Sequence, residues 1–242
     1  MVSRIRNKKY KIDLKYKLGD YNGFLVNYYS SFLSGTGITI GLSFLALFLG
    51  FFVGLIACIG KISNSKVASI IASIYIEVIR DTPLMIQLAI IYFGLPSLGV
   101  NFPSLFGLPE EFTAGVFALT LNSGAYVAEI MRSGIQAVNK GQMEASRSLG
   151  LNYWQAMRYV IVPQAVKNIL PALANEFISL IKESAIVSVV GITDLTFFAS
   201  SVKNSTGDFF GPYIFAAVVY FVITFTLSKL VGLLEKKMST ER

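Results

Sequence analysis

The sequence predicts an all-α integral membrane protein of five transmembrane helices, the second of them kinked, with a short cytoplasmic helix between spans three and four. Composition is the first observation behind this. Of 242 residues, 54% are hydrophobic and 14% charged, where soluble domains carry about 25% charged residues. Too little polar surface remains to cover one water-facing core. The second observation is the set of long apolar runs, because a helix needs about 20 mostly apolar residues to cross roughly 30 Å of hydrocarbon. The third is what the chain lacks. It contains no histidine, the commonest general base and metal ligand. Its single cysteine, Cys58, lies in an apolar run without a disulfide partner.

The elements follow in chain order. Residues 1–20 are charged and lack an apolar core segment, so no cleavable signal peptide is expected. The basic tail over 1–23 carries Arg4, Arg6, Lys8, Lys9, Lys11, Lys15 and Lys17, and reads as a solvated or lipid-surface arm with no nucleic-acid role. A transmembrane domain is expected over 24–237 and a short cytoplasmic tail over 238–242. Four runs qualify plainly as spans: Ile38–Gly60, Phe112–Ile135, Ile169–Val190 and Tyr213–Leu234. A fifth, from Val67 to about Gly94, is interrupted by Arg80-Asp81-Thr82-Pro83. It is too long for one straight span and too short for two, so it reads as one span broken or kinked near its middle.

Lysine and arginine set the orientation. With the loop after the first span inside, the inner segments carry Lys61, Lys66, Arg132, Lys140, Arg147, Arg158, Lys167, Lys229, Lys236, Lys237 and Arg242. The opposing loops carry only Lys203, beside Glu110 and Glu111. The C-terminus is therefore expected in the cytoplasm and the N-terminus outside. The basic tail runs against this, although all of it but Lys17 lies too far from Ile38 to weigh heavily.

The largest inner segment, 136–167, reads QAVNKGQMEASRSLGLNYWQAMRYVIVPQAVK. Glu144, Ala145, Leu149, Tyr153 and Trp154 suit a short amphipathic helix that Gly150 ends or bends. Pro163 and Pro171 punctuate the return to the membrane. Such a helix either docks in a partner's groove or rests on lipid.

These residues resemble the cytoplasmic coupling motif of bacterial ABC importer permeases. That motif runs Glu-Ala-Ala, three residues, Gly, nine residues, Ile, one residue, Leu-Pro; here its positions are Glu144, Ala145, Ser146, Gly150, Val160, Val162 and Pro163. The spacing is kept, with Ser146, Val160 and Val162 as small or apolar exchanges. The stretches YIEVIRDTPLMIQLAIIYFGLP, NSGAYVAEIMRSGIQAV and PQAVKNILPALANEFISLIKESAIVSVVG extend the resemblance to the polar amino-acid branch, of His/Glu/Gln/Arg type. It covers roughly Phe24 to Lys237, and Asp81 stands where a common variant has Gly. The resemblance implies a permease subunit in the bacterial plasma (inner) membrane that takes up polar amino acids by alternating access. It implies as partners an ABC ATPase contacted through Glu144–Gly150, a second permease chain, identical or different, and a solute-binding protein or domain. ATP and Mg would be bound by the ATPase. This chain has no GxxxxGK[ST] loop, so ATP chemistry is expected from a partner; without histidine, no catalytic residue, metal site or cofactor is expected on it.

Polar residues inside a membrane are costly and mark functional sites. Three clusters fall near mid-span: Glu77, Arg80, Asp81 and Thr82; Asn122, Ser123 and Tyr126; and Asn175, Glu176, Lys182 and Glu183. Both signs of charge beside amides and hydroxyls suit a zwitterion. Thr82 is expected to cap a helix restarting at Pro83, with Arg80 helping to hold a carboxylate and Glu77 or Glu176 an ammonium group. The opposing reading pairs these charges with one another. Glu129 and Arg132 read as anchors or contacts to the coupling loop. Gly37-x-x-x-Gly41 and Gly50-x-x-x-Gly54 suggest close helix packing. A passive polar-solute channel is the alternative function, and an intramembrane enzyme would be left with carboxylate or Ser/Lys chemistry.

Overall fold

The computed structural model describes residues 21–104 and 107–240. The basic tail lies, but for its last three residues, outside the described residues, as do residues 241–242. The described chain is helical, with no strand.

Helix α1 (Tyr21–Ile62) is an unbroken rod of 42 residues, and no proline interrupts it. It starts well before the expected boundary at Ile38. Its early turns are held in place because Phe32 packs into a core with Leu195, Ala199, Val202 and Ala216. The Ser63-Asn64-Ser65 turn ends α1, and Ser65 caps α2 (Lys66–Arg80) by accepting from the Ala68 amide.

The expected break falls at Asp81-Thr82-Pro83, and it is sharp. Helix α3 (Leu84–Ala89, prolonged by a π turn at Ile90–Gly94 and a last turn at Leu95–Ser97) leaves α2 at 104°. Thr82 does not cap it. Pro83 itself takes the cap position with an extended backbone (φ −63°, ψ 133°), and no side chain caps the helix there. The Thr82 hydroxyl instead donates back to the Val78 carbonyl at 2.7 Å. A hydroxyl at this position can serve either flanking helix, and the orphan carbonyl of α2 takes it.

Helix α4 (Glu110–Gln136) is the centre of the fold. Its first turn carries Glu110 and Glu111, favourable at the positive end of the helix dipole. Of its most apolar window, 72% is buried. Ala114, Gly115, Ala118, Ala125, Ala128 and Gly134 are all buried on it, small enough for neighbouring helices to approach closely. Gly50 and Gly54 of α1 use that room. A Cβ at Gly50 would lie 3.1 Å from the Gly124 nitrogen and the Ser123 Cβ. Gly37 and Gly41 meet nothing within 4 Å, so only the second small-residue pair packs within this chain.

The 136–167 segment forms two helices, not one. Helix α5 (Lys140–Ser148) is capped by Asn139. Gly150 (φ +88°) closes it in a Schellman turn: its amide bonds the Arg147 carbonyl at 3.1 Å, and the Leu151 amide bonds Ser146 at 3.2 Å. The next helix, α6 (Tyr153–Ala156), opens with an Asn152–Gln155 capping box and runs through a π turn (Met157–Ile161) into α7 (Val162–Glu183). Both π turns precede a proline. Leu95 and Val162 donate to carbonyls five residues back, and Pro96 and Pro163 follow at once. The wider turn takes up the disruption of a residue that cannot donate. Pro171 lies inside α7.

Helix α7 tightens to a 3-10 turn (Ser184–Val190), which stops at Gly191 (φ +94°). Helix α8 (Leu195–Thr206) then sets off at 49°, in a stretch read from sequence only as loop. Helix α9 (Gly211–Thr240) lies at the periphery, with 11% of its apolar window buried. Among the described residues α1, α4 and α9 are each long and apolar enough to cross a membrane, and two bent pairs, α2 with α3 and α6–α7 with α8, raise the number of such candidate spans to as many as five.

Candidate functional site

The break between α2 and α3 organises the polar interior. Pro83 has no N–H, so the Ile79 carbonyl, four residues earlier, loses its helical donor. Gln87, one turn into α3 and buried, supplies it: its Nε2 lies 2.6 Å from the Ile79 carbonyl oxygen, 3.0 Å from that of Thr82 and 2.9 Å from Thr82 Oγ1. Its Oε1 accepts from Asn122 Nδ2 of α4 at 3.0 Å. A second link joins α2 to α4, where the Tyr75 hydroxyl donates to the Leu121 carbonyl at 2.6 Å.

On α4, Asn122 Oδ1 and Thr120 Oγ1 are buried with no hydrogen-bond partner. An orphaned buried polar atom costs about 1–3 kcal/mol, and two on one helix mark a place where the fold is not optimised for its own stability. Glu176 of α7, 9% exposed, brings a carboxylate against Ser123. One turn along α4 from Ser123, the Arg80 guanidinium stacks over the Tyr126 ring at 5.4 Å. From there a cleft of about 350 Å³ follows α4 and α7, lined by Arg80, Tyr126, Glu129, Ser133 and Asn168 among others.

The residues singled out in the sequence thus divide. Arg80, itself exposed, stacks on Tyr126; Glu176 lies buried on α7 toward Ser123; and Asn122 is buried against Gln87. Glu77 points elsewhere and pairs with Lys61 at 3.7 Å. Asn175 and Lys182 are exposed on α7. Glu129 and Arg132 form an ion pair within α4, and Arg132 also donates to Gln136. Gln87 escaped the sequence reading, although one amide in the run Leu84–Ile90, four residues after a proline, was its signal.

The second surface is the inner segment. Ser146 is buried and donates to the Gln142 carbonyl at 2.6 Å. Behind α5, Met143 packs on a core of Val138, Ile161 and Ala165, which fixes this helix to the start of α7. Glu144, Ala145 and Gly150 are exposed, and so are Leu149 at 85% and Trp154 at 78%. Pro163 is exposed in the first turn of α7.

The described residues form an all-helical domain around a central helix of small and buried polar residues, long and apolar enough to cross a membrane. Comparison with known proteins gives its class. Residues 46–240 match the family described as binding-protein-dependent transport system inner membrane component, and the chain belongs to that family. It is 40% identical over 219 residues to GlnP of Rickettsia felis, named for glutamine transport, covering 89% of this chain and 97% of that one. It is 40% identical over 208 residues to the arginine transport system permease protein ArtQ of Bacillus subtilis, covering 86% and 92%. A crystal structure described as an amino acid ABC transporter with histidines superposes with a TM-score of 0.83 at 54% identity, covering 88% and 96%. The chain is a membrane-spanning transport permease, not an enzyme, and the passive-channel reading falls away.

Proposed function

We propose that this chain is the permease subunit of an ATP-driven importer that carries polar amino acids by alternating access. The observation that carries the reading is the near full-length likeness to permeases named for amino-acid transport. Each bent pair counts as one span, giving five, with the N-terminus outside and the C-terminus in the cytoplasm. The lysine and arginine distribution between loops supports this sidedness. The membrane is a bacterial plasma (inner) membrane. Partners are a separate ATPase that binds ATP and Mg, a second permease chain and a solute-binding protein.

Helix α5 is the contact to the ATPase. Its inner side is anchored by Met143 and Ser146, and its exposed side offers Glu144, Ala145 and Leu149 up to the turn at Gly150. A rigidly backed helix with an exposed face transmits a partner's movement into α7, which begins at Val162-Pro163. The substrate path runs along α4 past Asn122 and Tyr126, with Arg80 facing the substrate's carboxylate and Glu176 its ammonium. Thr82 contributes through Gln87, and Glu77, Asn175 and Lys182 lie off the constellation and serve at its approaches.

The test is purification of the chain with whatever associates through its inner segment, with and without Gly150→Pro or Glu144→Lys. An ATPase that co-purifies, and loses solute-stimulated hydrolysis with either change, supports the reading. Absence of any nucleotide-hydrolysing partner overturns it.

A further inference from the structure

The helix that enters α7 is interrupted where α5 rests on it. The Val162 amide bonds the carbonyl of Met157, five residues back, and Pro163 has no N–H to continue the ladder. On the same stretch, Val138, Ile161 and Ala165 form a small core against which Met143 of α5, Met157 and Val160 pack. An apolar seat holds α5 without fixing its register, because burial is non-directional. Gln164 supplies the direction. Its Nε2 donates to the Val160 carbonyl, inside the π turn, at 3.0 Å, and to Gln142 Oε1 of α5 at 3.4 Å. A carbonyl can only accept, so the nitrogen end of Gln164 is held toward Val160, and Gln142 meets it with its oxygen. Gln142 is tied into α5 in turn, since its own carbonyl accepts from the buried Ser146 hydroxyl at 2.6 Å. One turn beyond Gln164, Asn168 Nδ2 donates to the Gly134 carbonyl of α4 at 3.3 Å.

We propose that Gln164 is a positioning residue for coupling: it fastens α5 to the π turn, so that a displacement of α5 is passed on to α7. This rests on the reading of α5 as the ATPase contact and names the residue that carries its movement inward. A π turn followed by proline is a place where a helix bends. Left to itself, such a joint absorbs a push on α5 by flexing. One amide that grips both the carbonyl of the turn and the helix seated on it removes that freedom. Helix α5 and the start of α7 then move together, and Asn168 hands the movement to the inner end of α4.

The experiment uses the permease–ATPase complex in proteoliposomes with the solute-binding protein present, and glutamine and arginine as probes. It reads ATP hydrolysed per amino acid taken up, beside co-purification of the ATPase and the thermal midpoint. Gln164→Leu removes both bonds at similar volume and is expected to raise that ratio about two- to fivefold, with the ATPase still bound and the midpoint little changed. Gln142→Leu cuts only the bond to α5 and gives a smaller rise. The double change is no worse than Gln164→Leu alone, because both single changes cut one link. Gln142→Glu keeps an acceptor and stays nearer the wild-type ratio than Gln142→Leu. If Gln164→Leu fails to assemble, the two Gln142 variants carry the test. An unchanged ratio in Gln164→Leu, additive effects, loss of the ATPase itself, or Gln142→Glu as impaired as Gln142→Leu overturns the proposal. Glu144→Lys, run alongside, separates this inference from the reading beneath it. Coupling lost with Glu144→Lys and kept with Gln164→Leu refutes the inference alone, and coupling kept with both refutes α5 as the ATPase contact.

Discussion

Gly54 on α1 lies against Gly124 on α4 so closely that a Cβ on the first would stand 2.8 Å from the carbonyl oxygen of the second. The side chain of Val127 is as near, with its Cγ1 at 2.7 Å. Gly54→Ala therefore forces two backbones apart, and overpacking of this kind costs about 1–3 kcal/mol. The thermal midpoint of the purified complex is expected to fall. Gly37→Ala is the control on the same helix, since nothing lies within 4 Å of it. There the gain in helix propensity, up to about 1 kcal/mol, should hold or raise the midpoint. Equal midpoints for the two variants would mean that α1 and α4 are not in backbone contact.

Gly150 tests the turn that ends α5. No atom would clash with a Cβ there, so the cost of Gly150→Ala is the left-handed backbone alone, about 1–2 kcal/mol. Asparagine tolerates that region better than alanine. Substrate uptake per ATP hydrolysed should decline in the order Gly, Asn, Ala. If Asn and Ala behave alike and match the parent, the turn has no part in coupling.

Asp194, fully buried, caps α8 by accepting from the Phe197 amide at 2.8 Å and the Thr196 amide at 3.2 Å. The two oxygens divide the work, Oδ1 accepting from Phe197 and Oδ2 from Thr196 and, at 3.4 Å, from the Tyr220 hydroxyl, so asparagine, with one acceptor oxygen, keeps only part of the cap. Asp194→Asn should lose less thermal stability than Asp194→Ala, which should lose about 1–2 kcal/mol. An Asn variant as unstable as the Ala variant would show that the bond it retains contributes nothing.

Glu176 bears on the substrate. Glu176→Gln keeps the shape and one acceptor but removes the charge facing Ser123 and Tyr126. Uptake of cationic amino acids should weaken more than that of neutral ones when reconstituted vesicles are compared. Uniform weakening across all substrates would place Glu176 in structure rather than in recognition.

The spans were legible because hydrocarbon imposes one simple rule on composition, and α4 and α9 fall within a few residues of their expected bounds. Packing between helices obeys no such rule. Gly37-x-x-x-Gly41 and Gly50-x-x-x-Gly54 look alike in sequence, yet only the second meets a helix whose own residues are small. The break at Asp81-Thr82-Pro83 was visible from Pro83, but the partner of the orphaned Ile79 carbonyl was not. Gln87 lies one turn further on and becomes its neighbour only after a 104° bend. Helix α8 was missed because its apolar residues are too few to span a membrane and its partners, Phe32 and Ala216, come from distant turns. In the inner segment, the motif residues were picked out by resemblance to a family pattern, and what they do is the proposal made above. The division into two helices depended on reading Gly150 as a stop and Asn152 as a fresh start.

Helix α1, at 42 residues, is about 63 Å long, roughly twice the hydrocarbon thickness. Even tilted by about 40°, it cannot lie wholly within hydrocarbon. Along this one rod stand two contacts of different kind, Phe32 against Phe215, edge to face at 4.8 Å in a core shared with α8, and Gly54 against Gly124. They are about 33 Å apart along its axis. An unbroken helix of that length acts as a lever: a tilt at the glycine contact is carried undamped to the aromatic one, so α8 feels a movement of α4 that it does not touch.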